Sequence, residues 1–341
     1  LNRTMKTISI GIVGMGRIGK IHLTNITRYI SQAEVVAVAH ANSEAQIYAK
    51  QFGVSQFYKN IESLLLGVDV DAVIITSPTS FHAEQIKLVA HAGKAIFCEK
   101  PMDLSLAVVQ EVVTLVETTQ VHFMVGFNRR YDPNFLKIKK RIKKGIIGTP
   151  QLINITSRDP GPPSLNYLKT SGGLFLDMAI HDFDMASYLM DDKVESVYAS
   201  ATVYGDPKIK ELGDIDTALT TLTFKKGGMA SINNSRNSTY GYDQRIEVFG
   251  DKGMTGAKNK TLDDNYSVDA NGFHSALPLD FFLERYADSY RLEMQEFISS
   301  LEQRNPTPIS AKEGLNNMAI SIAAKKSVTE KRVVSLSEII D

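Results

Sequence analysis

Residues 7–13, TISIGIV, are apolar and β-branched with no polar alternation, and Gly14-Met15-Gly16-Arg17-Ile18-Gly19 follows at once. An unbroken apolar run of this length reads as a strand buried on both faces. Residues 20–31 then carry Ile21, Ile26 and Ile30 at helical spacing. Strand, G-x-G-x-x-G and helix in that order is the opening of a doubly wound parallel sheet that holds a dinucleotide. Gly14 permits the tight turn, Gly16 admits pyrophosphate to the backbone, and Gly19 lets the helix close on the strand. Arg17 and Ile18 lie where backbone N–H groups at a helix start face phosphate.

The alternation continues. Strand patterns cover 34–39, 70–76, 95–99 and 121–127, and helical patterns cover 43–52, 80–92 and 104–119. Beyond about residue 127 the rhythm changes to a basic helix at 134–144, a strand at 151–159 and a helix at 174–190. The runs VESVYASATVY, DTALTTLTF, GMASINNSR and YDQRIEVFG come next, then helices at 281–303 and 311–326. The fold class expected is α/β. A Rossmann domain spans 1–127, and an α/β domain with a large, open, mostly antiparallel sheet spans 128–341.

The chain has 341 residues, with 38 Lys plus Arg against 38 Asp plus Glu. Zero net charge argues against a general nucleic-acid or membrane-surface binder. The basic stretch KIKKRIKKG at 137–145 interleaves Ile138, Ile142 and Ile146, so it reads as an amphipathic helix with a solvated face. The single cysteine, Cys98, excludes an intrachain disulfide and a cysteine-based zinc cage. No metal is expected. Neither a membrane span nor a cleavable leader pattern is visible, and a cytoplasmic setting is expected.

Three further residues fit hydride chemistry. Lys100 follows the strand 95–99, at the carboxyl edge where parallel sheets bind ligands, and Pro101 after it is a candidate cis position. Asp177 and His181 are spaced i, i+4 on a helix that reads as buried, after Gly172-Gly173. A buried charge is retained where it is paired or functional. Met178, Met185 and Met190 fit core packing. The acidic residue expected at the end of the second strand to hold an adenosine ribose is missing. His40-Ala41-Asn42-Ser43 stands there, with no Arg or Lys between 40 and 49. His40 or Asn42 is left to bind the ribose, Arg17 is the one candidate cation, and NAD against NADP stays open.

Gly14/Gly16/Gly19, Glu99-Lys100-Pro101, GFNRRYDPNF at 126–135 and G-G-x-x-x-D-x-x-x-H at 172–181 together resemble the Gfo/Idh/MocA oxidoreductases. Residues 157–186, 240–253 and 278–293 are similar to the inositol 2-dehydrogenase branch of that family. The resemblance implies a nicotinamide cofactor, NAD or NADP, and a homo-oligomer, commonly a tetramer built through the C-terminal sheets. It implies a polyol or sugar substrate, with no nucleic-acid or membrane partner.

It also assigns Lys100, Asp177 and His181 as the catalytic set, which also touches substrate. Arg158, Asp159, Tyr240 and Tyr286 fall in segments that line the sugar pocket. Ser77, Pro78, His82, Glu99 and Lys100 join the glycine loop, His40 and Asn42 around the cofactor. His82 also admits the reading of a helix N-terminal residue without a ligand. The reaction implied is oxidation of a cyclitol hydroxyl, myo- or scyllo-inositol, to an inosose with His181 as general base. Asp177 would orient the imidazole and Lys100 would stabilise the developing alkoxide. A dehydrogenase of another sugar or sugar acid, or a cofactor-sensing regulator without chemistry, stays open.

Overall fold

The computed structural model describes residues 7–340. The chain forms two compact units. One holds the residues up to Tyr131 together with Asp288–Asn316, and the other holds Asp132–Ala287 with the residues from Asn317 on. The expected single break near 127 therefore becomes a discontinuous division, with the segment Asp288–Asn316 belonging to the first unit. Its helix, Ala287–Gln303, packs Phe297 on Phe97 and Tyr290 on His22, with ring centroids 5.6 and 5.9 Å apart. That aromatic burial, which sequence periodicity assigns to no particular partner, fixes the segment in the first unit.

The first unit is built on six parallel strands: β1 Ile8–Val13, β2 Ala33–Ala39, β3 Gln56–Tyr58, β4 Ala72–Ile75, β5 Ala95–Glu99 and β6 Phe123–Gly126. Their order is β3-β2-β1-β4-β5-β6, the doubly wound arrangement in which the order reverses beside β1. Ile10, Ile12, Ile74, Ile75, Ile96 and Phe97 are fully buried, as expected for strands covered on both faces. Strand β3 and the helix Ile61–Gly67, capped by the Asn60 side chain, are absent from the sequence reading. Three residues are too few to display a period.

The second unit carries a seven-stranded sheet: β7 Pro150–Arg158, β8 Val194–Thr202, β9 Thr217–Phe224, β10 Met229–Ser235, β11 Asp243–Gly250 and β12 Gly253–Ala257, with β15 Val334–Ser335 at one edge. A separate hairpin pairs β13 Tyr266–Asp269 with β14 Gly272–Ser275. The order is β12-β11-β7-β10-β9-β8-β15, and only β7 and β10 pair in parallel. Alternation along β7, β9, β10 and β11 buries Ile153, Ile155, Leu222, Ile232 and Val248 on one face. On the other face, register aligns Met254, Phe249, Leu152 and Met229 in one row across four adjacent strands, each between 40 and 58% exposed. In the basic helix Pro133–Lys143 and the turn after it, Ile138 is buried as expected, but Ile147 rather than Ile146 packs inward.

Candidate active site

The glycine loop is closely packed at its first and third glycines and open at its second. Gly14 sits at φ +92°, and a Cβ there would lie 2.6 Å from the Ser77 nitrogen. A Cβ on Gly19 would lie 2.2 Å from the Gly14 carbonyl oxygen, so helix and strand close to a distance that only glycine permits. Gly16 is exposed, and a Cβ there would meet nothing within 4 Å. Thr76 braces the turn by donating its hydroxyl to the Gly14 carbonyl at 2.6 Å. The helix Arg17–Tyr29 begins with exposed Arg17 and half-buried Ile18, and no side chain caps it. The tight first and third glycines and the open second one fit a dinucleotide pyrophosphate.

At the end of β2, His40 is exposed and takes a left-handed φ of +54°. Asn42 caps the helix Ser43–Lys50 by accepting from the Ala45 N–H at 2.8 Å. Ser77 is half-buried and donates to Gln85 at 2.6 Å, while Pro78 is exposed.

His82 departs from the expectation of a cofactor contact. It is 2% exposed, its Nδ1 lies 2.8 Å from the Pro101 carbonyl and its Nε2 lies 2.7 Å from the Ser77 carbonyl. Both nitrogens face the protein's own backbone carbonyls, and burial holds the ring below an imidazole's ordinary pKa against the pull of those two carbonyls, so the neutral ring donates to one of them. Glu99, also expected beside the cofactor, turns its carboxylate inward to accept from His22 Nε2 at 2.8 Å. Lys100 follows, half-buried at the carboxyl end of β5, and the Lys100–Pro101 peptide is cis.

In the second unit, Gly172 and Gly173 both take φ +83°. The close approach they allow is to Asp214. A Cβ on Gly173 would lie 2.7 Å from its carboxylate, which accepts from the Leu174 N–H at 2.9 Å. The helix expected over 174–190 opens at Gly173 and Leu174, widens into a π turn over Phe175–Ala179, and continues as an α-helix over Ile180–Met190. The wider i→i+5 turn resets the helical phase between Asp177 and His181, so the simple i, i+4 relation does not describe them. Both are half-buried. Asp177 accepts from Arg236 at 3.0 Å and from the Tyr167 hydroxyl at 2.9 Å. Arg236 has no exposure and also reaches Asp214 at 3.3 Å. Behind His181, buried Asp182 accepts from Asn234 at 2.8 Å.

Arg236, Tyr167, Asp214 and Asn234 escaped the sequence reading. The available signal is the period of β10: Ala230, Ile232, Asn234 and Arg236 fall on one buried side, and a cation in phase with that side requires an acidic partner.

Of the residues expected around a sugar, Arg158 donates to Asn233 at 3.1 Å and to the Tyr240 hydroxyl at 2.9 Å. Tyr240, 37% exposed, donates in turn to Asp243 at 2.6 Å. Asp159 is half-buried beside them, and its carbonyl accepts from the Ser238 N–H. Tyr286 differs. It is 2% exposed, its hydroxyl donates to Gln244 at 3.1 Å, and the Arg285 guanidinium stacks 4.7 Å from its ring centre. The ring packs in the interior of the second unit, because Arg285 and Tyr242 enclose it.

Residues 8–127 match the family model described as the NAD-binding Rossmann fold of the oxidoreductase family GFO_IDH_MocA, and residues 139–336 match its C-terminal alpha/beta domain. The chain is 44% identical to the myo-inositol 2-dehydrogenase of Thermotoga maritima, covering 97% of this chain and 99% of that protein. It is 42% identical to the inositol 2-dehydrogenase of Rhizobium meliloti, covering 97% of this chain and 100% of that one. Its structure is similar to the scyllo-inositol dehydrogenase of Lactobacillus casei with bound NAD(H) and scyllo-inositol, with a TM-score of 0.91 and 30% identity. That match covers 97% of this chain and 100% of the other.

Proposed function

The chain belongs to the Gfo/Idh/MocA oxidoreductase family, and on that premise we propose that it is a cytoplasmic dehydrogenase of a cyclitol. It oxidises a secondary hydroxyl of myo- or scyllo-inositol to the inosose with NAD. The observation that carries this reading is the glycine loop, in which Gly14 and Gly19 are packed to contact and Gly16 is open, joined to the likeness to inositol dehydrogenases along nearly the whole chain. NAD is favoured over NADP because no Arg or Lys lies between 40 and 49 to meet a 2′-phosphate. Among the described residues, no helix is long and apolar enough to cross a membrane.

A bound nicotinamide would supply the hydride acceptor, and the loop of Gly14, Gly16 and Gly19 would hold its pyrophosphate. His181 takes the hydroxyl proton, so that loss of the C–H electron pair leaves a neutral ketone. Lys100 donates to the reacting oxygen and stabilises the charge that develops on it. Asp177 supports the histidine as a carboxylate supports an imidazole in other acid–base pairs, and its own orientation comes from Arg236 and Tyr167. Arg158, Asp159 and Tyr240 offer the polar groups that recognise a polyhydroxylated ring. The exposed row Met254, Phe249, Leu152 and Met229 is where we place contact with a second copy of the chain in a homo-oligomer.

Absorbance at the NADH band, with myo-inositol, scyllo-inositol and glucose each tested against NAD and NADP, tests the reading. Turnover of an inositol with NAD is expected. NADH binding without turnover of any of the three would discard the cyclitol and leave a cofactor-binding protein of this family.

A further inference from the structure

We propose that His22 and His82 are positioning residues for Lys100, each holding one of the two residues that flank it in the chain. The inference rests on the assignment of Lys100 to the reacting oxygen.

On one side, Glu99 gives its carboxylate to His22 Nε2 at 2.8 Å. His22 has no exposure, and Phe97 and Tyr290 stand edge-on to its ring at centroid distances of 5.2 and 5.9 Å. Packing on both sides restricts the ring. Glu293, also fully buried, brings a carboxylate oxygen within 4.8 Å of both partners. The Glu99 carboxylate further rests against β6, where a Cβ on Gly126 would lie 3.1 Å from it. Glu99 is therefore held from the helix that follows the glycine loop and rests against the neighbouring strand. Lys100 follows directly after the end of β5, so fixing Glu99 fixes the backbone from which the lysine departs.

On the other side, the Pro101 carbonyl faces His82 Nδ1 at 2.8 Å, and the opposite nitrogen of that ring faces the Ser77 carbonyl at 2.7 Å. The neutral ring has one N–H, so His82 packs between the turn after β5 and the turn after β4, and in the Nδ1–H tautomer it donates to the Pro101 carbonyl. Lys100 thus sits between Glu99, whose carboxylate meets buried His22, and Pro101, whose carbonyl meets buried His82. A lysine ammonium on a four-carbon stem is a flexible point charge, and it can act on a reacting oxygen only if its base is held.

The test uses His22→Leu and His82→Leu, with His22→Gln and His82→Gln as conservative partners that keep a polar group and guard against misfolding. Activity is read with whichever inositol turns over with NAD, NADH affinity by fluorescence, and hydrogen exchange in the peptide 98–103 by mass spectrometry. Each Leu variant should lower kcat by about 10- to 100-fold, the scale of an ångström-sized misplacement, with KM and NADH affinity within about threefold. Each Gln variant should recover part of the loss. In a Lys100→Ala background the Leu substitutions should cost no further kcat, because the group they position is gone. Exchange in 98–103 should quicken in the Leu variants, a readout that needs no substrate.

Equal fractional losses with and without Lys100 would reduce the histidines to general stability and overturn the proposal. So would unchanged exchange in 98–103. Stoichiometric zinc bound by the native protein and lost in Glu293→Gln would make the His22, Glu99 and Glu293 cluster a metal site instead. Full turnover by Lys100→Ala alone would remove the assignment of Lys100 and the positioning role with it, while exchange would still report whether the histidines hold the turn.

Discussion

The Arg236 guanidinium, with no solvent exposure, lies 3.0 Å from the Asp177 carboxylate. It also spans to Asp214 at 3.3 Å, so one buried cation serves two carboxylates. Removing one partner of a buried pair leaves an uncompensated charge, at a cost of about 3–5 kcal/mol. Arg236→Met should therefore lower unfolding free energy by about 3 kcal/mol, the lower end because Asp177 retains some exposure. Arg236→Lys keeps the charge but not the fork and should recover only part. Urea denaturation followed by circular dichroism checks the stability. A kcat that falls in Arg236→Lys under conditions where the variant remains folded would show that the orientation of Asp177 matters to turnover in its own right.

His181→Ala should lower kcat by about 10²- to 10⁴-fold, the usual worth of a positioned acid–base group. NADH affinity should be unchanged, because the substitution leaves the glycine loop that holds the pyrophosphate intact. Steady-state kinetics beside fluorescence titration separates the two quantities, and near-normal turnover would reject His181 as the base.

The three glycines of the loop should respond differently to one methyl group. Gly14→Ala meets the Ser77 backbone and a left-handed φ, and Gly19→Ala meets the Gly14 carbonyl. Both should be destabilised by several kcal/mol, since overpacking in a closed backbone contact cannot relax cheaply. Gly16→Ala has nothing within 4 Å and should melt like the native protein. It should nonetheless bind NADH at least tenfold more weakly, because the methyl stands where pyrophosphate approaches the backbone. Thermal melts with and without NADH distinguish these outcomes.

The parts of the molecule that could be read from sequence are those with a period or a fixed spacing. The apolar run into Gly14 and the alternation of β7, β9, β10 and β11 are such signals. Short elements such as Gln56–Tyr58 have no period to display. Positions set by long-range contact are hidden for another reason. Nothing near His82 in sequence announces that Pro101 and Ser77 will take both its nitrogens. Nothing near Tyr286 announces that Arg285 and Tyr242 will enclose it. The π turn at Phe175–Ala179 likewise arises within a stretch whose residues read as a plain helix.

Stability should fall in acid through Asp243. Burial alone would push its carboxyl up, but hydrogen bonds from Arg245, Tyr240 and Asn259 outweigh that and hold it below its ordinary value. A carboxyl depressed in the folded state stabilises the fold above the unfolded-state value and loses that contribution as pH falls through the folded value. The unfolded chain binds the proton first, so stability declines from the ordinary carboxylate range downwards. Asp216 behaves alike: burial opposes ionisation, and the N–H groups of Tyr204 and Gly205 with Thr217 and Asn237 overcome it. Asp243→Asn should cost about 1.5–3 kcal/mol at neutral pH, the worth of hydrogen bonds to a charged group. The gap between the variant and the native protein should narrow steadily as pH drops below the ordinary carboxylate range. Urea midpoints taken from pH 7 down to the acid limit of folding measure that gap, and a gap constant with pH would show that Asp243 is not the linked group.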